Sequence, residues 1–126
     1  MGKTITLIAL LLLMLGGALW QSHYISEATE KLIDALEQVK QPLIENNAEK
    51  AAKAAAAFCQ LWEQEKNTFS ALFEHNEVDM ISYKARSVKA FCVKGRVPDA
   101  LALVEEMLVQ VRHINAIDRV EWENIF

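Results

Sequence analysis

The sequence predicts an all-α protein, with an N-terminal transmembrane anchor followed by an antiparallel helical bundle of about four helices. Three observations carry this. Gly (4) and Pro (2) are scarce among 126 residues, while Ala, Leu, Glu and Lys are common, which is a helix-forming composition. Apolar residues after position 24 recur at steps of three and four, and no segment alternates for long like a half-buried strand. The N-terminus is apolar, and residues 1–20 carry only Lys3. The expected organisation is a membrane anchor or uncleaved signal over 1–24 and an extracytoplasmic bundle over 25–126, a domain too small for deep clefts. The net charge of −4 without a basic stripe argues against nucleic acid and against docking on anionic lipid.

In "MGKTITLIALLLLMLGGALW" the uncharged run from Ile5 to Trp20 reaches only ~24 Å at ~1.5 Å per residue, short of a ~30 Å hydrocarbon core. Adding Thr4 and Gln21 to Tyr24 completes a span, with Trp20 and Tyr24 at the outer interface, where aromatic rings are favoured. Two other readings fit the segment. One is a signal peptide with Ile5–Leu15 as its apolar core and cleavage after Ala18, and the other is a buried core helix. Lys3 and the amino terminus precede the run, whereas Glu27 and Glu30 come before the next basic residue, Lys31. The positive-inside rule then puts the N-terminus in the cytoplasm and the domain outside, in a single-pass protein of the cell membrane.

The first bundle helix carries Ile25, Ala28, Leu32, Leu36, Val39 and Leu43 on one stripe, and Pro42 either kinks it or ends it near Lys40. The second starts at "NNAEKAAKAAAAF", with Asn46 as N-cap and Glu49 three residues on as in a capping box. Its expected stripe is Ala52, Ala55, Cys59, Trp62, Phe69 and Phe73, ending near Glu74. The third follows Asn76, with Val78, Ile81, Ala85, Val88 and Cys92 in strict three–four spacing and Gly95 as its stop. The fourth begins at "VPDALALVEEMLVQVRH", where Pro98 and Asp99 suit a first turn and Leu101, Val104, Leu108 and Val111 form the stripe. "NAIDRVEWENIF" reads as a short extra turn capped by Asn115, then a free end with Trp122 and Phe126. Short connections make neighbouring helices antiparallel; stacked helical hairpins are the alternative arrangement.

Cys59 and Cys92 are the two cysteines. A hairpin centred at His75–Asn76 would bring them level, so two readings stand: a disulfide in an oxidising compartment, or two buried thiols acting as small core residues.

The pattern formed by Trp62, Phe69, Leu72, His75, Glu77, Asp79 and Ile81, together with "KGRVPDALA" and the terminal "NIF", resembles the bacterial family called domain of unknown function 4363. Pro42 and the alanine run depart from that family's usual pattern. The resemblance covers nearly the whole chain. It implies one N-terminal anchor, a helical extracytoplasmic part and an integral membrane protein as partner, and it implies no activity.

"LFEHNEVDMI", Leu72 to Ile81, concentrates a histidine and three acids. In an up-down bundle His75 would meet His23 and His113 at the anchor end, beside Glu74, Glu77 and Asp79, and His75, Asp79 and His113 are the candidate metal ligands. The plainer reading assigns His75 and His113 to last turns of helices, Asn76 to a cap, and Glu77 and Asp79 to a favourable first turn. The chain has no Gly-rich phosphate loop, nucleophile elbow or zinc-finger cysteine spacing. The expectation is therefore a non-enzymatic interaction or structural module of the cell envelope without a cofactor. It would be held in the membrane by its N-terminal helix, with Trp122 and Phe126 as candidate partner contacts. The alternative is a metal- or small-ligand-sensing domain using the His/acid cluster.

Overall fold

A computed structural model describes the backbone of residues 1–125 and the side chains of residues 1–114. Four helices follow one another: α1 (Gly2–Ile44), α2 (Ala48–Leu72), α3 (His75–Val93) and α4 (Val97–Ile125). α1 packs on α2 and α4, and α3 packs on the same two helices, so the four close an up-down antiparallel ring around one core.

Two of the connections are set by residues that tolerate a left-handed backbone. Asn46 has φ 57° and Gly95 has φ 74°. Each sits just past a helix end in a Schellman arrangement. Asn47 N–H donates to the Pro42 carbonyl at 2.8 Å, and Arg96 N–H donates to the Phe91 carbonyl at 2.8 Å. Gly95 is thus the stop the sequence predicts. Asn46, in contrast, is not the N-cap of α2. It terminates α1, and Asn47 caps α2 by accepting from Lys50 N–H at 3.1 Å. Asparagine can serve either role, and only the chain reversal decides which one takes which.

Pro42 neither ends α1 near Lys40 nor stops it before Ile44; it is buried inside the last turn. Pro42 gives up the N–H bond to the Gln38 carbonyl, and any bend it causes redirects only the two residues that remain of the helix.

The expected stripes of α1 and α3 are buried in full, from Ile25 to Leu43 and from Val78 to Cys92. On α2 the expected Ala55, Trp62 and Phe69 are buried, while Ala51 and Phe58 take the core positions expected of Ala52 and Cys59, and Phe73 is half-buried. Ala52 and Cys59 lie half-buried on the flank of the core. On α4, Ala100, Val104, Met107, Leu108, Val111 and Ile114 are buried and Leu101 is half-buried. The segment after Ile114 is not a separate turn capped by Asn115. α4 runs unbroken to Ile125, since no Gly or Pro follows Pro98 to stop it.

Polar contacts bridge each neighbouring pair of helices. Tyr24 donates to Glu65 at 3.1 Å between α1 and α2. Trp62 Nε1 donates to Ser82 Oγ at 2.7 Å between α2 and α3. Lys84 meets Gln110 at 3.4 Å and Glu106 at 3.6 Å between α3 and α4. Lys40–Glu105 at 3.0 Å and Arg112–Glu37 at 2.9 Å join α1 to α4. Ion pairs at the bundle surface, with at least one partner open to solvent, contribute only ~0–1 kcal/mol each, so they report the helix register more than they hold the fold.

Candidate functional site at the base of the bundle

α1 is longer than the bundle. Residues 1–21 are exposed throughout, and burial begins in earnest at Ile25. The apolar part of this helix has a mean hydropathy of 1.9 over an 18-residue window, with none of the window buried. By length and composition it can cross a membrane. No linker separates it from the bundle, because the helix that emerges as an apolar rod is the same helix that forms one wall of the core. The base of the bundle, where α1 leaves it, is therefore the natural place to look for function.

The α2–α3 turn lies at this base. α2 ends at Leu72, and Phe73 is extended (φ −124°, ψ 164°) while its ring stacks on Phe69 at 5.6 Å. Glu74 is the N-cap of α3, with extended backbone (φ −62°, ψ 141°) and no side-chain cap bond. His75 is thus the first residue of α3 and not in the last turn of α2, and Asn76 is inside α3 and not its cap. α2 ends two residues before Glu74, with Phe73 as its C-cap.

The histidines do not converge as the short reading of α4 implied. His23 is exposed and 3.4 Å from Glu27. His75 and Asp79 are exposed at the turn. His113 lies in the middle of α4, next to Arg112, which bonds Glu37. Glu37 is fourteen residues along α1 from His23, which puts His113 roughly 20 Å above the base. Among the described residues no group of three His, Cys, Asp or Glu side chains comes together to hold a metal ion.

The cysteines follow the same logic. Both thiols are free, Cys92 buried and Cys59 half-buried. The hairpin turns at Phe73–Glu74, not at His75–Asn76, and Cys59 Sγ donates to the Ala85 carbonyl at 3.5 Å. Ala85 and Cys92 are seven residues apart, or ~10 Å along α3, beyond the Cα separation of at most ~7 Å that a disulfide allows. A Cys59–Cys92 bond is therefore not formed. Burial pushes both thiols above their ordinary pKa; around Cys59, Lys89 and Arg86 pull down while Glu63 pushes up. At Cys59 burial outweighs the two neighbouring cations, and at Cys92 burial acts alone, so both thiols are held in the protonated form.

Trp62 is core: it is 1 % exposed and packs on Phe69 at a centroid distance of 5.7 Å. The side chains of Trp122 and Phe126 lie outside the described residues. What sequence reasoning missed at the base is an apolar groove between α1 and α2, lined by Tyr24, Ile25, Ala28, Thr68, Phe69 and Leu72. Leu72 and Phe73 immediately precede the acidic residues Glu74, Glu77 and Asp79.

The family model of Domain of unknown function (DUF4363) matches residues 19–125. The chain belongs to the DUF4363 family. The DUF4363 match begins at Leu19, so it takes in the whole bundle and leaves most of the apolar rod outside. Comparisons with curated proteins and with solved structures found no match. Membership in DUF4363 agrees with the architecture and carries no activity with it.

Proposed function

We propose that this DUF4363 protein is a non-enzymatic envelope module, a single-pass protein whose bundle stands outside the cell membrane and binds or steadies an integral membrane protein. The observation that carries this reading is the unbroken α1, in which residues 1–21 expose apolar side chains and the continuation of the same helix is core. An exposed apolar surface of that length is unfavourable in water and is stabilised in hydrocarbon. The charge asymmetry, Lys3 before the run and Glu27 and Glu30 after it, supports a cytoplasmic N-terminus. The interior described is an apolar core. Among the described residues Thr29 is the one buried polar side chain, and its hydroxyl donates to the Ile25 and Ser26 carbonyls of its own helix.

Protease added to intact protoplasts tests the topology. The expected result is digestion of the bundle with a protected N-terminal fragment, and a fully protected chain would overturn the orientation. Crosslinking in native membranes tests the role, with one integral membrane protein captured reproducibly as the expected outcome. Release of the whole chain into the soluble fraction at alkaline pH would remove the anchoring reading.

A further inference from the structure

The base of the bundle sits at a definite height on α1. The uncharged stretch after Lys3, residues 4–24, runs ~30 Å along α1, which equals the thickness of the hydrocarbon core. Tyr24 then lies at that boundary, against a headgroup layer ~5–8 Å deep. Trp20 is 71 % exposed and stacks on Tyr24 at 5.9 Å, placing two interface-seeking rings at this level. Leu72 shares the groove with Tyr24 and Ile25, so the end of α2 lies at the same height. From Leu72 the chain continues towards the membrane before turning at Glu74. Leu72 is 38 % exposed, and the half-buried Phe73 ring closes the same surface.

We propose that the α2–α3 turn rests on the outer membrane surface, with Leu72 and Phe73 in contact with lipid in the interfacial layer. This rests on the anchoring reading above and goes beyond it: the bundle is seated on the bilayer and does not stand off from it. The occupant is lipid because the surface is continuous with the apolar rod and with the Trp20–Tyr24 pair. Glu74, Glu77 and Asp79 adjoin the contact, so it is made through apolar and aromatic atoms and owes nothing to attraction by anionic headgroups. The rigid helical connection makes this seating possible, since a flexible linker would leave the turn free to drift away.

The test uses the full chain reconstituted in phosphatidylcholine vesicles, with a benzophenone-bearing amino acid in place of Leu12, Leu72, Tyr83 or Val93 in separate preparations. Helical content and thermal unfolding matching the unlabelled protein establish that each folds. The expected result after illumination is a phosphatidylcholine adduct at positions 12 and 72 and none at 83 or 93. An adduct at 12 but none at 72 overturns the seating and leaves the anchor intact. No adduct at 12 overturns both. An adduct at 72 with a second copy of the chain in place of lipid also overturns it.

Discussion

The indole N–H of Trp62 donates to the Ser82 hydroxyl at 2.7 Å across the α2–α3 interface. The same register sets Cys59 against the Ala85 carbonyl. Among the described residues Trp62 is the largest fully buried side chain, so the bond satisfies a donor that burial would otherwise strand. Ser82→Ala is expected to cost ~1–3 kcal/mol by leaving that N–H unpaired, and Trp62→Ala ~3–5 kcal/mol through lost packing. In urea denaturation, Trp62→Phe combined with Ser82→Ala should cost less than the sum of the two single changes. Simple additivity would show that the bond does not couple the helices.

The two asparagines between α1 and α2 should respond in opposite ways. Asn47→Ala removes the side-chain cap of α2 and is expected to cost ~1 kcal/mol. Asn46 holds a left-handed backbone, so Asn46→Ala should cost ~1–2 kcal/mol while Asn46→Gly should be neutral or stabilising. Thermal unfolding of the three variants checks this, and a destabilised Asn46→Gly protein would contradict the assignment.

Thiol chemistry follows from burial. Titration under denaturing conditions should find two free thiols, and in the folded protein both should alkylate far more slowly.

The raised thiol pKa values also have a sign. The folded protein retains thiol protons that the unfolded chain releases. Their contribution to stability is full below the ordinary thiol value of about 8.5 and is lost as pH rises through the higher folded values. Comparing unfolding at about pH 8 and about pH 10, the loss of stability should be smaller in Cys92→Ala than in the parent; an unchanged difference would argue against a buried titration.

The separation of His113 from the α2–α3 turn predicts indifference to metals. Zinc and a chelator should leave the melting temperature of the bundle unchanged, and His75→Ala should respond as the parent does. A zinc-dependent rise lost in His75→Ala would show that a site assembles after all.

A break in α1 should separate anchoring from positioning. Gln21→Pro falls in the exposed rod, before the core begins at Ile25, so membrane retention and bundle stability should both persist. The lipid adduct at position 72 should be lost, because a kink there tilts the bundle away from the surface.

Periodicity made much of this protein legible in advance. The stripes of α1 and α3 are read correctly because Ile25 to Leu43 and Val78 to Cys92 alternate with charged residues, which leaves one face to bury. α2 is read correctly at Ala55, Trp62 and Phe69 but takes Ala52 and Cys59 in place of Ala51 and Phe58, because in "KAAKAAAAFC" only two lysines mark a polar face and the alanines are equally suited to the interior. The distinction between Ala51 and Ala52 rests on which neighbour Phe58 and Trp62 face. α4 is read short because Asn115 looks like a cap, although an interior asparagine costs a helix only ~0.7 kcal/mol or less.

The sequence by itself determined the four helices, the apolar rod, the family and most of the core, since each depends on composition and spacing within a single segment. The tertiary structure decided the register between segments: Cys59 facing Ala85 and not Cys92, His113 high on α4, Asn46 stopping one helix and Asn47 starting the next. Register depends on where a hairpin turns, and here α2 ends at Leu72 and the chain turns at Phe73–Glu74. An antiparallel pair doubles any error in the turn position, because a shift of one residue at the hairpin displaces the facing residue by two. The polar letters around His75 are therefore the start of a helix, and the surface that matters beside them is apolar.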